Sequence, residues 1–597
     1  MVDQVAERAN RKYTSMLRRR DGMKAMYRNV SKFVLMRQSW FGDSNVPNRV
    51  VSLTVKGVSD DTAVDAARAA ATAFGGALWP NAEESFETVA NPLMKSSPAY
   101  SKLLKAQAVR EYYKEATQRI RQSFSSEDAG FLIAWGEHMD EQIALGTSGI
   151  VVDEDLENDA DPVYFRSISV ETSLIDENSR NRVDTVAFEY WLTARQAVEK
   201  YGASNVSKAT ADAAKIPENE DTPIKIIHLI QPRKDGKVGE DVMNKPFSSI
   251  HYEAAELKTV LNSGLDELGS YVVRFRRRPG ELYGRSLAMD AMPTICELNV
   301  IRRAFSLALG KQLDPPSGFW SSMFGGVGSI DLSMGVSVPL FDNGSVPQGR
   351  PPVEQFMQIP EPRIANDRLK DIEEKILVKF LLDKLLDFNN KTRMTLGEAQ
   401  LRNDFRNQAL GNLFARQMTE LLYPLIMQVI RIYWRRGLLG LHPVKDAEKI
   451  ARAEAENRPV LVMPEVVAEF FDKTGQMPFS IRFTSPAARA MRADALLGLE
   501  KLSNYVLALV GAGFEDARDG FDVDQSVELY QHHVGAPQDA IRSQESRDEV
   551  REARVAAQQQ MAELAMQEQG SQIAKNAAKA AKDGAQAGLP PGGALSV

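Results

Sequence analysis

MTLGEAQLRNDFRNQALGNLFARQMTELLYPLIMQVI (394–430) reads as one helix that continues to about Arg436. Thr395 followed three residues later by Glu398 is a capping box, which fixes its start. At 1.5 Å per residue the helix is about 60 Å long. Pro424 lies inside it, lacks an N–H and crowds the preceding turn, so a kink is expected there. A helix of this length rarely fits within one compact domain. The chain is therefore expected to be an elongated subunit of a larger assembly.

Upstream, DFNNKTRMT (387–395) interrupts the helical spacing. Asn389 and Asn390 are turn formers. With Phe388, Lys391, Thr392 and Arg393 they make a mostly polar loop between two apolar helices. It is either an exposed turn or a loop whose two cations have a use. IANDRLKDIEEKILVKFLLDKLLD (364–387) precedes it, with Leu369, Ile372, Ile376 and Phe380 at helical spacing. SLAMDAMPTICELNVIRRAFSLALGK (286–311) is a further apolar helix, and Pro293 predicts a break near Met292. The segment between these helices, 312–362, is rich in Gly and Pro and carries β-like pieces such as VSVPLF (336–341). It is too long for a simple loop and reads as a small α/β module. Phe319, Trp320, Met323 and Phe324 form an apolar cluster in it, flanked by glycines. That cluster is either the module's own core or a docking surface.

Residues 150–285 change period. PVYFRSISVETSLI (162–175), VDTVAFEYWLT (183–193), PIKIIHLIQP (223–232) and SYVVRFRRRPG (270–280) are β-branched and aromatic, as strands are. DENSRNR (176–182) and NSGLDELG (262–269) read as turns. TARQAVEKYG (193–202) reads as a short helix, capped by Thr193 and ended by Gly202. Residues 1–37, 98–123 and 127–146 read as helices, the last with Ser126 as N-cap. Arg18, Arg19 and Arg20 read as a solvated face, with nucleic-acid contact as the other reading. Beyond the kinked helix, 487–512 and 523–535 are helical, 540–583 is one long polar helix, and 587–597 is expected to be disordered. The expected class is α+β, predominantly helical.

Composition narrows the function. The 597 residues suffice for several domains, and 43% hydrophobic with 26% charged residues is ordinary for a folded soluble protein. No apolar run approaches the roughly 20 residues that span a bilayer. MVDQVAERANRKY at the N-terminus has no apolar core of a signal peptide. Cys296 is the single cysteine, so no disulfide forms within the chain, and with six histidines a zinc site is not expected. The chain is expected to fold in a reducing cytoplasm. A net charge of −7 argues against tight general binding of DNA. It leaves room for a conduit, whose wall must not hold phosphates. No phosphate-binding G-x-x-x-x-G-K-[ST] is present: Gly310-Lys311 and Gly236-Lys237 lack the upstream glycine and the hydroxyl. FGGVGS (324–329) has no strand-to-helix frame, and no G-x-S-x-G elbow occurs. His138 and Glu141, one turn apart, read as a surface pair, and His532 and His533 point to different helix faces. No enzymatic activity, cofactor or metal is expected.

Four segments taken in order carry a resemblance. RNRVDTVAFEYWLTARQAVEKYG (180–202), GELYGRSLAMDAMPTICELN (280–299), the stretch 394–430 and FTSPAARAMRA (483–493) resemble the portal, or head-to-tail connector, family of T7-like short-tailed double-stranded DNA phages. The resemblance implies a ring of about twelve subunits. It implies a wing over 1–285 and 397–500, stem helices over 286–311 and 363–387, and a clip over 312–362. It further implies a tunnel loop over 388–396, and a crown with barrel helices and a disordered tail over 501–597. Asn389, Asn390, Lys391, Thr392 and Arg393 would then face DNA, and Phe319, Trp320, Met323 and Phe324 would dock a partner. The implied partners are further copies of the chain, a terminase motor, tail adaptor proteins, major capsid and scaffolding proteins, and double-stranded DNA held non-specifically. No membrane is implied. The implied place is the capsid vertex of the virion, after assembly in the host cytoplasm. A different virion structural protein, such as a tail adaptor or a scaffold, is the other reading.

Overall fold

Serine and threonine side chains divide the β region into two sheets. In the computed structural model the stretch expected as one strand over 162–175 is broken at Ser169, whose carbonyl accepts from the Ser173 hydroxyl at 2.5 Å and the Thr172 hydroxyl at 3.4 Å. Such local bonds compete with a ladder and turn the chain. The structure describes all residues except 1–2, 37–56, 82–84, 98–99, 101–102, 105, 156–157, 159–160, 234–240, 316, 321–336, 341–352, 356–362, 386–409, 456–460, 535–543 and 587–597. Two units are distinct: residues 1–88, 116–441 and 481–498, and residues 89–115, 442–480 and 499–597.

The first unit begins its strands with β1 (Phe86–Ala90), which crosses its boundary, followed by β2 (Thr147–Glu154) and β3 (Val163–Ser169). Then come β4 (Ser173–Glu177), β5 (Val183–Thr193), β6 (Pro223–Pro232), β7 (Phe247–Glu253), β8 (Lys258–Leu265) and β9 (Ser270–Arg274). Strands β4 to β8 pair in chain order as a five-stranded antiparallel sheet, while β2 lies between β3 and β9 in a second sheet. The expected turn 262–269 is half strand, because β8 runs through Leu265. Its Gly264 marks close approach, not a turn: a Cβ there would stand 2.0 Å from the Val242 carbonyl oxygen.

The helix Gln4–Asp21 covers one face of the five-stranded sheet. Asp3 caps it, accepting from the Val5 and Thr259 N–H groups at 2.9 and 3.0 Å. Ala6, Ala9, Tyr13 and Met16 pack on Leu174, Ala187, Ile227, Leu229, Ile250 and Tyr252. The cluster Arg18–Arg20 is not simply a solvated face. Arg19 pairs with Asp176 at 2.5 Å, and Arg20 donates to the Val170 and Glu171 carbonyls at 3.0 and 2.5 Å. Part of the opposite face is covered by the helix Ala194–Tyr201, whose Thr193 and Gln196 form the reciprocal cap that ends β5.

The other expected helices shift in detail. Residues 98–123 contribute the helix Gln107–Ser125. The next helix is Phe131–Leu145, entered through Gly130 at φ 66°, so Ser126 is not its cap. His138 lies on this helix and is not part of a surface pair: it is fully buried, with Nδ1 3.1 Å from the Ser148 hydroxyl. Leu287–Leu313 is one continuous helix. Pro293 costs it one bond but no break, because burial from Leu287 to Asn299 holds it. Its entry is a tight crossing, where a Cβ on Gly284 would lie 2.3 Å from the Gly146 carbonyl oxygen. Arg363–Lys379 buries Leu369, Ile372 and Ile376 as expected, and Phe380, just past its end, is buried too. The helix stops early, at Leu381 with φ 60°.

The kink of the long helix takes a specific form. The described part is helical from Leu410, and Met418–Leu422 widens to a π-turn in which the Tyr423 N–H reaches back to the Met418 carbonyl. Pro424 has no N–H to offer the Glu420 carbonyl, and the wider turn relieves its clash.

In the second unit the Tyr113 hydroxyl donates to the Pro478 carbonyl at 3.0 Å, and Tyr112 and Tyr113 pack on Phe479. Val523–Val534 and Gln544–Gln586 are helices as expected, tied by Arg547 to Glu528 at 2.6 Å and Arg551 to Asp524 at 2.7 Å. The single helix expected over 487–512 is two, Pro486–Met491 in the first unit and Ala493–Gly511, which runs across the boundary.

Arg274, 1% exposed, joins three parts of the first unit. Its guanidinium donates to Glu177 at 2.6 Å, the Asn181 carbonyl at 2.7 Å and Glu420 in the π-turn at 3.4 Å. Arg274→Met leaves Glu177 with Arg277 and Glu420 with Arg416 but removes the charged hydrogen bonds that join the parts, and should cost about 1.5–3 kcal/mol. Arg274→Lys, which keeps the charge but loses the fork, should fall between. Urea unfolding of the purified variants checks this; a midpoint equal to the parent's for Arg274→Met would show that the junction carries no load.

Candidate functional site

Ion pairs fix the register of the two helices that flank the inserted module. Arg302 on Leu287–Leu313 donates to Asp60 at 2.9 Å and pairs with Glu373 on Arg363–Lys379. Arg368 pairs with Glu297 at 2.9 Å, and the Lys379 ammonium donates to the Thr294 hydroxyl at 2.6 Å. The helices are thus antiparallel neighbours. Burial on the first helix ends at Asn299, and no side chain from Val300 to Leu313 is buried. Val300 is 69% exposed, Leu307 49% and Leu313 79%. Val300 and Leu307 stand on one side of the helix, which the described residues leave open.

The module between them holds a three-stranded sheet: β10 (Ser317–Trp320) is central, parallel to β11 (Ser337–Leu340) and antiparallel to β12 (Val353–Gln355). Phe319 stands in register with Pro339 and Val353, and Trp320 with Leu340. Met323 and Phe324 lie outside the described residues, as does FGGVGS (324–329). So do Asn389, Asn390, Lys391, Thr392 and Arg393, with the capping box Thr395–Glu398.

A cleft of about 630 Å³ opens on the uncovered part of the five-stranded sheet; Arg166, Tyr190, Lys200, His228, His251 and Glu267 are among its walls. His228 and His251 meet across β6 and β7 with ring centroids 3.7 Å apart and nearly parallel. The His228 Nε2 lies 2.8 Å from the Ser249 hydroxyl, and the His251 Nδ1 lies 3.1 Å from the Tyr201 hydroxyl. Burial pushes His228 well below the usual histidine range, and the neighbouring His251 adds to this. Burial, with help from Lys200, lowers His251 to about 4. Sequence reasoning missed this pair because strand register, not spacing, brings it together. It also passed over Arg302, for which a charge inside an apolar helix was the available signal. Among the described residues no group of three His, Cys, Asp or Glu is placed to hold a metal ion, and no helix is long and apolar enough to cross a membrane.

Comparison with known proteins bears on the whole of this arrangement. The family described as bacteriophage head to tail connecting protein matches residues 6–541. The chain belongs to this family. Among the relatives of this head-to-tail connecting protein, the portal protein of Salmonella phage epsilon15 is 25% identical over 441 residues, which cover 72% of each chain. The probable portal protein of Bordetella phage BPP-1 is 23% identical over 446 residues, again 72% of each. The matched region takes in both flanking helices, the inserted module and the π-turn of the connecting protein.

The histidine pair sets a pH dependence for its stability. Both rings stay neutral when folded, whereas in the unfolded chain they protonate near the ordinary value of about 6.5. The stability they confer is therefore intact above about 6.5 and falls as the pH drops toward 4 and below. The slope is at most about 1.4 kcal/mol per pH unit for each ring. Unfolding midpoints measured from about pH 7 to about pH 4.5 should decline less steeply in His228→Gln/His251→Gln than in the parent. Equal slopes would mean that the rings are not held neutral.

Proposed function

We propose that this connecting protein is the portal subunit of a short-tailed phage. In about twelve copies it would close a ring at one capsid vertex, through which double-stranded DNA is packaged and later ejected. One observation carries the reading most directly: the helix pair leaves the core with its apolar row uncovered, in a chain whose relatives bear the portal name. In this reading 1–285 and 397–500 form the wing, 286–311 and 363–387 the stem, 312–362 the clip, 388–396 the tunnel loop, and 501–597 the crown with its barrel helices. The protein acts as structure and conduit, not as an enzyme. A packaging motor of the terminase class docks on the clip, with Phe319, Trp320, Met323 and Phe324 as contacts, and tail adaptors follow it. Capsid and scaffolding proteins surround the wing. Assembly takes place in the host cytoplasm.

The channel has a physical requirement. Each phosphate held by a cation adds affinity through counterion release, and a wall that binds many phosphates stops DNA from sliding. An acidic chain with a thin collar of Lys391 and Arg393 satisfies this, positioning the duplex without reading bases.

Native mass measurement of the purified protein should give closed particles of about twelve chains; a stable monomer at high concentration would refute the reading. Changing Lys391 and Arg393 to Glu should leave the ring intact and reduce DNA retention at low salt, with the defect fading as salt rises. Retention equal to the parent's would remove the loop from the bore. Deleting 318–350 should leave a folded ring that no longer recruits the motor, and normal DNA uptake by that variant would overturn the clip assignment.

A further inference from the structure

Two faces of the helix pair that none of the described residues covers are opposite in charge. On Leu287–Leu313 the residues Val300, Arg303, Ala304, Leu307 and Lys311 recur every three or four positions and form one row. That row looks away from Arg302, which meets the second helix. On Arg363–Lys379 the residues Asp367, Asp371, Glu374 and Val378 form another row, diametrically opposite the buried Leu369, Ile372 and Ile376. Val300 and Val378 are 69% and 53% exposed, and Arg303, Asp367, Asp371 and Glu374 are exposed too. Among the described residues, none of Arg303, Lys311, Asp367, Asp371 and Glu374 has an ion-pair partner. The nearby Arg302, Glu373, Arg368 and Glu297 are all paired.

We infer that these rows are the two halves of one contact between copies of this chain: the basic, apolar row of one copy seats on the acidic row of the next. Two observations support it. The rows lie on opposite sides of the helix pair, so one copy cannot join them and a second copy can. They match in height: Arg302 and Glu373 fix the antiparallel register. At 1.5 Å per residue, Arg303 stands level with Asp371, and Lys311 stands within about one turn of Asp367. A rotation that generates a ring leaves height along its axis unchanged, so with the pair running along the axis opposite charges meet without adjustment. The contact is heterologous, which is what a closed ring of many copies requires. Val300 and Leu307 supply the apolar burial, while Arg303 and Lys311 set partner and register through charge.

The inference rests on the ring reading, and charge reversal separates the two. Arg303→Glu alone and Asp371→Arg alone should each lose the closed particles that the parent forms at the same concentration, as read by native mass measurement. Both residues are exposed and unpaired within the chain, so each variant should keep the parent's secondary structure by circular dichroism. Arg303→Glu/Asp371→Arg in one chain should restore the ring. Mixing the two single variants should also restore it, as an alternating particle, because every contact then has one cation and one anion. If the parent forms no ring, the proposed function fails and this contact with it. If the parent forms rings and either single variant does so equally well, the contact is overturned while the ring stands. Loss in both singles without recovery in the double variant or the mixture would show that the two residues do not face each other.

Discussion

The guanidinium of Arg274 is the constraint on which the first unit turns. It sits at the end of β9, yet its partners are Glu177 at the end of β4, the Asn181 carbonyl in the following turn and Glu420 in the π-turn. Arg277 binds Glu177 and Asn181 as well, each at 2.9 Å. Removing a charge from water is expensive unless its donors are satisfied, so this arrangement tolerates little relative movement of the parts it joins. Both sheets and the kinked helix are thereby held at one point.

That point lies close to the root of the helix pair. Arg276 bridges to Arg285, and Ser286 caps the helix that starts at Leu287, accepting from the Met289 N–H at 2.9 Å. The crossing of Gly146 and Gly284 allows no side chain between the strand and the approach to that helix. A rigid root is what a helix pair needs if its free faces are to meet other copies in fixed register. The first helix buries its residues up to Asn299 in the unit, while from Val300 to Leu313 no side chain is buried among the described residues.

Much of this was legible from the sequence, for reasons that particular residues show. Helical spacing located Leu369, Ile372, Ile376 and Phe380, all of them buried, and Thr193 caps the short helix as expected. Spacing could not decide whether Pro293 breaks its helix, because tertiary burial outweighs the one lost bond. Nor could it show that 162–175 is two strands, since the serine and threonine bonds that split it are a local choice invisible to β propensity. His138 read as a surface residue because its burial depends on the sheet that packs on its helix. The candidate site was legible only in outline. The pair of helices and the module between them were evident, but the charges on their free faces acquire meaning only after Arg302 and Glu373 fix which residues stand level.

Electron cryomicroscopy of the assembled particle, at a resolution that shows side chains, tests the central claim most directly. The account predicts a closed ring in which the helices Leu287–Leu313 and Arg363–Lys379 of every copy stand side by side around a central bore, with Arg303 of one copy against Asp371 of the next. A particle in which these helices touch no other copy, or in which like rows meet like, would contradict it.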